Sequence, residues 1–415
     1  MQAAAPIDQR LFGRTGVFAL LLIALICEGY DLQAANFAAP DLVRTMGVTR
    51  AEIGPLLSAS LFGVLIGAIL IGSLGDRYGR KRLIVGACAA YGVCSLIASQ
   101  AESLNALIGL RFLIGLGLGG VLPNALALAG EIARPGREAT GTALVGIGIT
   151  LGGVVAGAVA AALLPAYGWP SLFLVGGIMP LVIALLLQIG LPESPAFLAQ
   201  KESGEGRKTG AGRAAAATPG PLLQDGLRAV TLGIWTIFAC VLMVVYLLSG
   251  WIPLLLGEGG FSPQQAALIG SAYHAGGVAG GVVASLILKR RGWNAVAGFA
   301  LGACAFLLLL VLGAGSTALL VAGVIAAGFC VTGTQNAING AAGVTYPTAL
   351  RARGLGWALG VGRVGSIAGP LVGSAAIWLG MSGAHQFFAL PLIPLAIAAA
   401  VAVGLGLGLR RRAPD

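Results

Sequence analysis

The 415-residue chain is 57% hydrophobic and only 10% charged, with a mean hydropathy of +0.93. Soluble domains carry about 25% charged residues, so this composition excludes a soluble enzyme or binding domain and indicates a polytopic membrane protein. A formal net charge of +10 raises nucleic acid as a partner, but the positions of the charges assign them to membrane topology instead.

Length and hydropathy predict twelve spanning helices, over residues 17–40, 52–75, 82–101, 104–132, 139–165, 170–191, 231–256, 264–288, 294–314, 316–345, 354–380 and 384–409. Each is near or above the roughly 20 residues that a bilayer requires. The first apolar run is too long for a leader peptide and lacks a small-residue cleavage site, so no cleavable signal is expected. Of the 25 basic residues, 21 fall in alternate connections that include both termini, which predicts that the two termini are cytoplasmic. All six cysteines lie in apolar stretches without metal-type spacing, and inert buried thiols are expected.

Taken in chain order, the first span holds Glu28-Gly29-Tyr30-Asp31, two carboxylates three residues apart on one helix face. Counted from Val17 at about 1.5 Å per residue, Glu28 lies roughly 16 Å deep. Acids at that depth face water or a partner and mark an ion or proton path. After the second span comes Gly72-Ser73-Leu74-Gly75-Asp76-Arg77-Tyr78-Gly79-Arg80-Lys81-Arg82, where glycine permits a tight turn and Asp76 can pair with an arginine. The fourth span carries Arg111, about eight residues from its periplasmic end.

A polar stretch from Ser194 to Arg228 reads as a cytoplasmic linker, partly helical at most. It divides the chain into an N-terminal six-helix bundle (1–193), the linker (194–228) and a C-terminal bundle (229–415). Pro135-Gly136-Arg137-Glu138 opens the fifth span and Pro347-Thr348-Ala349-Leu350-Arg351 the eleventh, and both continue into Gly-x-Gly pairs, the residue of a duplicated unit. The loop at Lys289-Arg290-Arg291-Gly292, equivalent to that at Asp76, lacks the acid.

In the second half, Arg363 sits roughly 15 Å into the eleventh span. A guanidinium there needs an anion, and a carboxylate matches its fork, so Arg363 is the expected substrate anchor; an ion pair between helices is the alternative. His274 lies at mid-depth in the eighth span and can bind a phenol or carboxylate, or serve a structural hydrogen bond. Gln335, Asn336 and Asn339 cover about one turn of the tenth span, and Tyr246, Trp251 and Tyr273 offer rings for stacking, although packing is the commoner fate of such residues. No phosphate-cradling loop, zinc spacing or nucleophile–base set is present in the sequence, so neither an enzyme nor a cofactor beyond the proton is expected.

These motifs resemble those of the major facilitator superfamily. The loop from Gly72 to Arg82 is similar to its loop signature, in which Asp76, Arg77, Gly79 and Arg80 would form a conformational latch. Arg111-Phe112-Leu113-Ile114-Gly115-Leu116-Gly117 resembles its fourth-helix motif, whose arginine is linked to proton coupling, and Leu191-Pro192-Glu193-Ser194-Pro195 resembles the end of its sixth helix. Glu28-Gly29-Tyr30-Asp31 is similar to the Asp-Gly-x-Asp motif of the aromatic acid:proton symporters. So are Leu118-Gly119-Gly120-Val121-Leu122-Pro123-Asn124, Tyr346-Pro347-Thr348-Ala349 and the segment from Trp357 to Ser366. With Glu28 in place of the first Asp, the chain looks most like 3-(3-hydroxyphenyl)propionate transporters.

The resemblance implies two pseudo-symmetric six-helix bundles about a central cavity, rocking to expose it alternately in a bacterial inner membrane. It implies an aromatic carboxylate and a proton as cargo and a monomeric transporter. Asp31 would carry the proton, tuned by Glu28; Arg111 would couple with Glu28 or Asp31 or serve as a second anion contact, and Asn124 joins the substrate-binding candidates. A symporter of another organic acid such as muconate would share every backbone motif, and a proton-driven exporter would keep the latch loop.

Overall fold

A computed structural model describes residues 13–202, 218–224, 226–313, 316–381 and 383–410. Among the described residues every regular element is helical, and twelve helices are long and apolar enough to cross a membrane. They are α1 (Gly13–Met46), α2 (Ile53–Leu70), α3 (Arg80–Ala98), α4 (Leu104–Ile132), α5 (Glu138–Tyr167) and α6 (Pro170–Gly190), then α7 (Arg228–Glu258), α8 (Pro263–Arg291), α9 (Trp293–Leu312), α10 (Thr317–Thr345), α11 (Arg351–Trp378) and α12 (Leu392–Arg410).

Several boundaries differ from the sequence expectation for identifiable reasons. Helix α1 runs six residues past Pro40. Its last turns are held by Asp41, which accepts the Trp169 backbone N–H at 2.8 Å and pairs with Arg44 at 2.7 Å. Helix α2 stops at Leu70, and the chain then tightens through a 3₁₀ turn, Gly72–Leu74, and one helical turn, Gly75–Tyr78. The expected last span is broken into Ala384–Ala389 and α12, because Pro391 cannot donate into a continuing helix. The linker opens as a helix, Pro195–Glu202; residues 203–217 lie outside the described ones.

In lipid, apolar side chains gain little by meeting each other, so helices associate where small residues let backbones touch. Gly29 on α1 abuts the Ile149 backbone of α5, and Gly152 on α5 abuts the α1 backbone from Ile26 to Tyr30. Six helices later, Gly365 and Gly369 of α11 meet Ala239 and Met243 of α7 in the same manner. The pairs α2–α4 and α8–α10 repeat the device through Gly63 with Phe112 and Gly280 with Phe329. The recurrence of both contacts at a six-helix interval marks a duplicated unit.

The described residues form two compact units, 13–47 with 59–202, and 48–58 with 218–410. Hence the segment Val48–Ser58 belongs with the second unit, not the first. There Arg50 pairs with Glu258 at 2.7 Å, the Gly54 N–H donates to Ser374 Oγ at 3.0 Å, and Ser58 Oγ donates to the Ile367 carbonyl at 2.8 Å. The second unit's interior is aliphatic and aromatic, with Phe238, Val241, Val296, Phe299 and Ile338 at one end and Leu248, Ile252, Leu307 and Val331 at the other.

Candidate functional site

Within the first unit, α1 and α4 bring Asp31 and Arg111 together. Arg111 Nη1 donates to Asp31 Oδ1 at 2.6 Å and to the Asp31 backbone carbonyl at 3.0 Å. Both side chains are 1% exposed, as is Glu28 one turn earlier. Two surrounding helices fix this arrangement. From α1, Tyr30 donates its hydroxyl to the Leu172 carbonyl of α6 at 3.0 Å, and Ser95 of α3 donates to the Phe173 carbonyl at 3.0 Å. The Phe173 ring lies 5.9 Å from the guanidinium carbon. A side chain at Gly176 would press on Ser95 Oγ and Asp31 Oδ2, at 3.0 and 3.1 Å from its Cβ, so the bare backbone leaves the carboxylate its place.

The arrangement is a buried ion pair in a medium that cannot solvate either ion alone. Its members support each other's charge, and neutralising one removes the reason for the other to stay. Sequence spacing left open whether Arg111 serves Glu28 or Asp31; the structure gives it to Asp31.

In the second unit Arg363 is half-buried on α11, and its guanidinium makes no hydrogen bond or ion pair among the described residues. Among the described residues no ion pair from Arg363 locks two helices. His274 on α8 is buried with its ring edge-on to Tyr273, centroids 5.4 Å apart. Tyr246 on α7 and Gln335 on α10 are half-buried, and Asn339 is exposed, whereas the Asn336 amide bonds back to the Thr332 carbonyl at 3.1 Å.

Two residues expected at the substrate are engaged within the protein. Trp251 is fully buried, donates its indole N–H to the Pro370 carbonyl at 3.2 Å and packs on Phe387 at 5.3 Å, so it is a core residue seated against bare Gly373. Asn124 is 3% exposed and donates to the Gly120 carbonyl at 2.8 Å and the Gly72 carbonyl at 3.5 Å, tying α4 to the end of α2.

Around the loop between α2 and α3, Gly79 has φ +95°, a conformation that side chains rarely adopt, and the Glu193 carboxylate fills the position of the missing Cβ. Glu193 Oε1 accepts the backbone N–H groups of Lys81 at 3.0 Å and Ser194 at 2.9 Å. Arg80 pairs with Glu131 at the end of α4, whose other oxygen accepts from Ser194 Oγ at 2.5 Å. Arg77 is exposed, over the ring of its neighbour Tyr78. The Asp76 side chain lies outside the described residues. Glu131 and Ser95 were not singled out from sequence. An acid at the same end of the spans as the Arg77–Arg82 cluster is the signal that points to Glu131. Ser95, one helical turn after Tyr91, carries no comparable mark.

Twelve apolar helices in two repeated units, with ionisable groups held at depth, define a multi-pass membrane transporter rather than an enzyme. The family model of the Major Facilitator Superfamily matches residues 21–370, and the chain belongs to that superfamily. A gallate transporter of Pseudomonas putida is 36% identical over 401 residues, covering 91% of this chain and 88% of the relative. The 4-hydroxybenzoate transporter PcaK of the same species is 36% identical, covering 92% and 90%. The 3-(3-hydroxy-phenyl)propionate transporter of Escherichia coli (strain K12) is 34% identical, covering 87% and 86%. In fold, the chain is similar to a bacterial homologue of the human lysosomal transporter Spinster, with a TM-score of 0.76 at 18% identity over 100% of both chains.

Proposed function

We propose that this protein imports aromatic carboxylates by proton symport and alternating access. The observation that carries the reading is Arg363, a mid-span guanidinium without an anionic partner among the described residues, in a chain whose relatives at 34–36% identity are named for gallate, 4-hydroxybenzoate and hydroxyphenylpropionate. A carboxylate accepts two parallel N–H bonds from such a fork. Tyr246 on α7 and Gln335 and Asn339 on α10, two helices that pack on α11, with His274 on α8, which packs on α7 and α10, supply ring contacts and hydrogen bonds to ring hydroxyls.

Asp31 is the proton carrier. When it takes a proton, the ion pair with Arg111 dissolves, and the packing of α1 against α4 loses its strongest electrostatic tie. Glu28, on the same face, modulates that step. One proton carried with one monoanion makes the cycle electroneutral. The loop at Asp76, Arg77, Gly79 and Arg80, held by Glu131 and Glu193, serves as a latch at the cytoplasmic end. The protein works as a monomer in a bacterial inner membrane with both termini cytoplasmic and needs no further cofactor.

The test is uptake of labelled 4-hydroxybenzoate, gallate and 3-(3-hydroxyphenyl)propionate into proteoliposomes under an imposed pH gradient, with muconate as competitor. Saturable, gradient-driven uptake that aromatic acids inhibit and muconate does not supports the proposal. Uptake indifferent to the gradient, or inhibited only by muconate, refutes it.

A further inference from the structure

Of the two Asp31 carboxyl oxygens, Oδ1 accepts from Arg111 Nη1 at 2.6 Å, while Oδ2 is buried without a hydrogen-bond partner. Oδ2 is therefore the oxygen open to a proton. The O–H formed there needs an acceptor, since a buried donor left unpaired opposes the state that creates it. The bare backbone at Gly176 of α6 brings one close. Ser95 Oγ and Asp31 Oδ2 lie 3.0 and 3.1 Å from the point where a Cβ on Gly176 would stand, and Ser95 is within hydrogen-bonding reach of the Asp31 carboxyl. Ser95 is 0% exposed, and its single proton goes to the Phe173 carbonyl at 3.0 Å, which leaves its lone pairs for a neighbour. That carbonyl is itself held in place, because the preceding one, Leu172, accepts the Tyr30 hydroxyl at 3.0 Å and ties α6 to α1.

We propose that Ser95 is the acceptor that seats the coupling proton on Asp31 Oδ2, a positioning residue for the protonation step. This rests on the proton-symport reading above. A proton from water adds to Oδ2, the new O–H donates to Ser95 Oγ, and the serine keeps its own proton on the Phe173 carbonyl. No bond of the serine breaks. Asp31 ends neutral, and two hydrogen bonds in series, from α1 through α3 to α6, replace its charge pairing with Arg111. Turned the other way, with its proton on Oδ2, the serine would favour the ionised carboxylate; the bond to Phe173 sets the direction. The titratable groups around the Asp31 carboxyl are Cys27, Glu28 and Tyr30 on its own helix, Tyr91 and Cys94 on α3 and Arg111 on α4. Helix α6 has none, and those of α5, Glu138 and Tyr167, lie at its two ends.

The experiment titrates the purified full chain in lipid nanodiscs with pH and follows the carboxylic C=O stretch of protonated Asp31 by infrared difference spectroscopy, as the band that Asp31→Asn removes. Wild type is compared with Ser95→Ala, which deletes the acceptor, and with Gly176→Ala, which keeps the hydroxyl and drives a methyl between the two oxygens. A merely structural serine changes the melting temperature and leaves the band and its midpoint alone. The acceptor role predicts that Ser95→Ala moves the band to higher frequency, as an O–H without an acceptor requires. It also predicts a midpoint lower by about 0.5–1 pH unit, the contribution of one hydrogen bond. Gly176→Ala moves both readings the same way, and should one variant fail to fold, the other carries the test. A band and midpoint unchanged from wild type, or a midpoint that rises, overturns the role of Ser95 alone. Absence from the wild type of any titrating band that Asp31→Asn removes overturns Asp31 as the proton carrier, and the role of Ser95 with it.

Discussion

Replacing Arg111 by methionine tests the Asp31–Arg111 pair where its energetics are most exposed. At a separation of 2.6 Å, and with an effective dielectric constant of about 20, the Coulomb attraction is about 6 kcal/mol. Most of that is offset by taking two ions out of water, so the pair adds little net stability over an apolar pair of similar size. Removing one member is different: Arg111→Met leaves the carboxylate buried without its partner, for a loss of about 3–5 kcal/mol. Asp31→Asn is milder, near the lower end of that range, because an amide oxygen still accepts from the guanidinium. The double variant Asp31→Asn/Arg111→Met regains part of both losses.

The assay is thermal unfolding of the four proteins in one detergent, read as a double-mutant cycle. If the double variant's loss equals the sum of the single losses within about 0.5 kcal/mol, the two groups do not act on each other and the argument fails. In transport, Asp31→Asn keeps substrate exchange and loses gradient-driven accumulation.

Arg363→Ala raises the KM for an aromatic acid by about 10- to 150-fold, the equivalent of a lost charge-assisted bond of 1.5–3 kcal/mol, and Arg363→Lys falls between because it keeps the charge without the fork; initial-rate uptake measures both. A saturating aromatic carboxylate raises the unfolding temperature, by the equivalent of about 2.7 kcal/mol at a hundred times its Kd, and the corresponding carboxamide does not. Gly79→Ala loses about 1–3 kcal/mol, from its φ of +95° and the Glu193 carboxylate in its path, while Gly86→Ala, with open space around it in α3, is neutral or stabilising by thermal melts. Glu258→Gln shifts stability by less than about 1 kcal/mol, and less again at high salt, because its partner Arg50 is 43% exposed.

Which of these features the sequence announces follows from how each contributes. A charge in an apolar run stands out whatever the fold does with it, so Glu28, Asp31, Arg111 and Arg363 are readable at once. Their pairing is not. At three residues' spacing Glu28 and Asp31 share a face, and only the rotation of α1 against α4 decides which one meets the guanidinium. The twelve spans follow from hydropathy, yet the extension of α1 past Pro40 depends on Asp41 reaching the turn at Trp169, a contact 128 positions away in sequence. Trp251 and Asn124 show the opposite case. Aromatic and amide side chains suit a binding site and a packed helix joint equally well, and here both are in joints.

On the proposed function, the two deep guanidiniums divide the work by whether a protein anion is in place. Arg111 has its carboxylate in place, so its electrostatic energy is already satisfied and an outside anion gains nothing by approaching it; only a proton, by neutralising Asp31, changes its state. Arg363 has no anion among the described residues, which leaves its charge to be met by water or by a bound carboxylate. Binding an anion there exchanges weak solvation for a fork-shaped pair of charge-assisted bonds. On that proposal a proton and a carboxylate find separate receptors of opposite deficiency, one lacking nothing but open to neutralisation, the other lacking a counter-charge. Were both arginines paired, the protein would have no preference for an acid over its amide; were neither, it would have no means of sensing the proton.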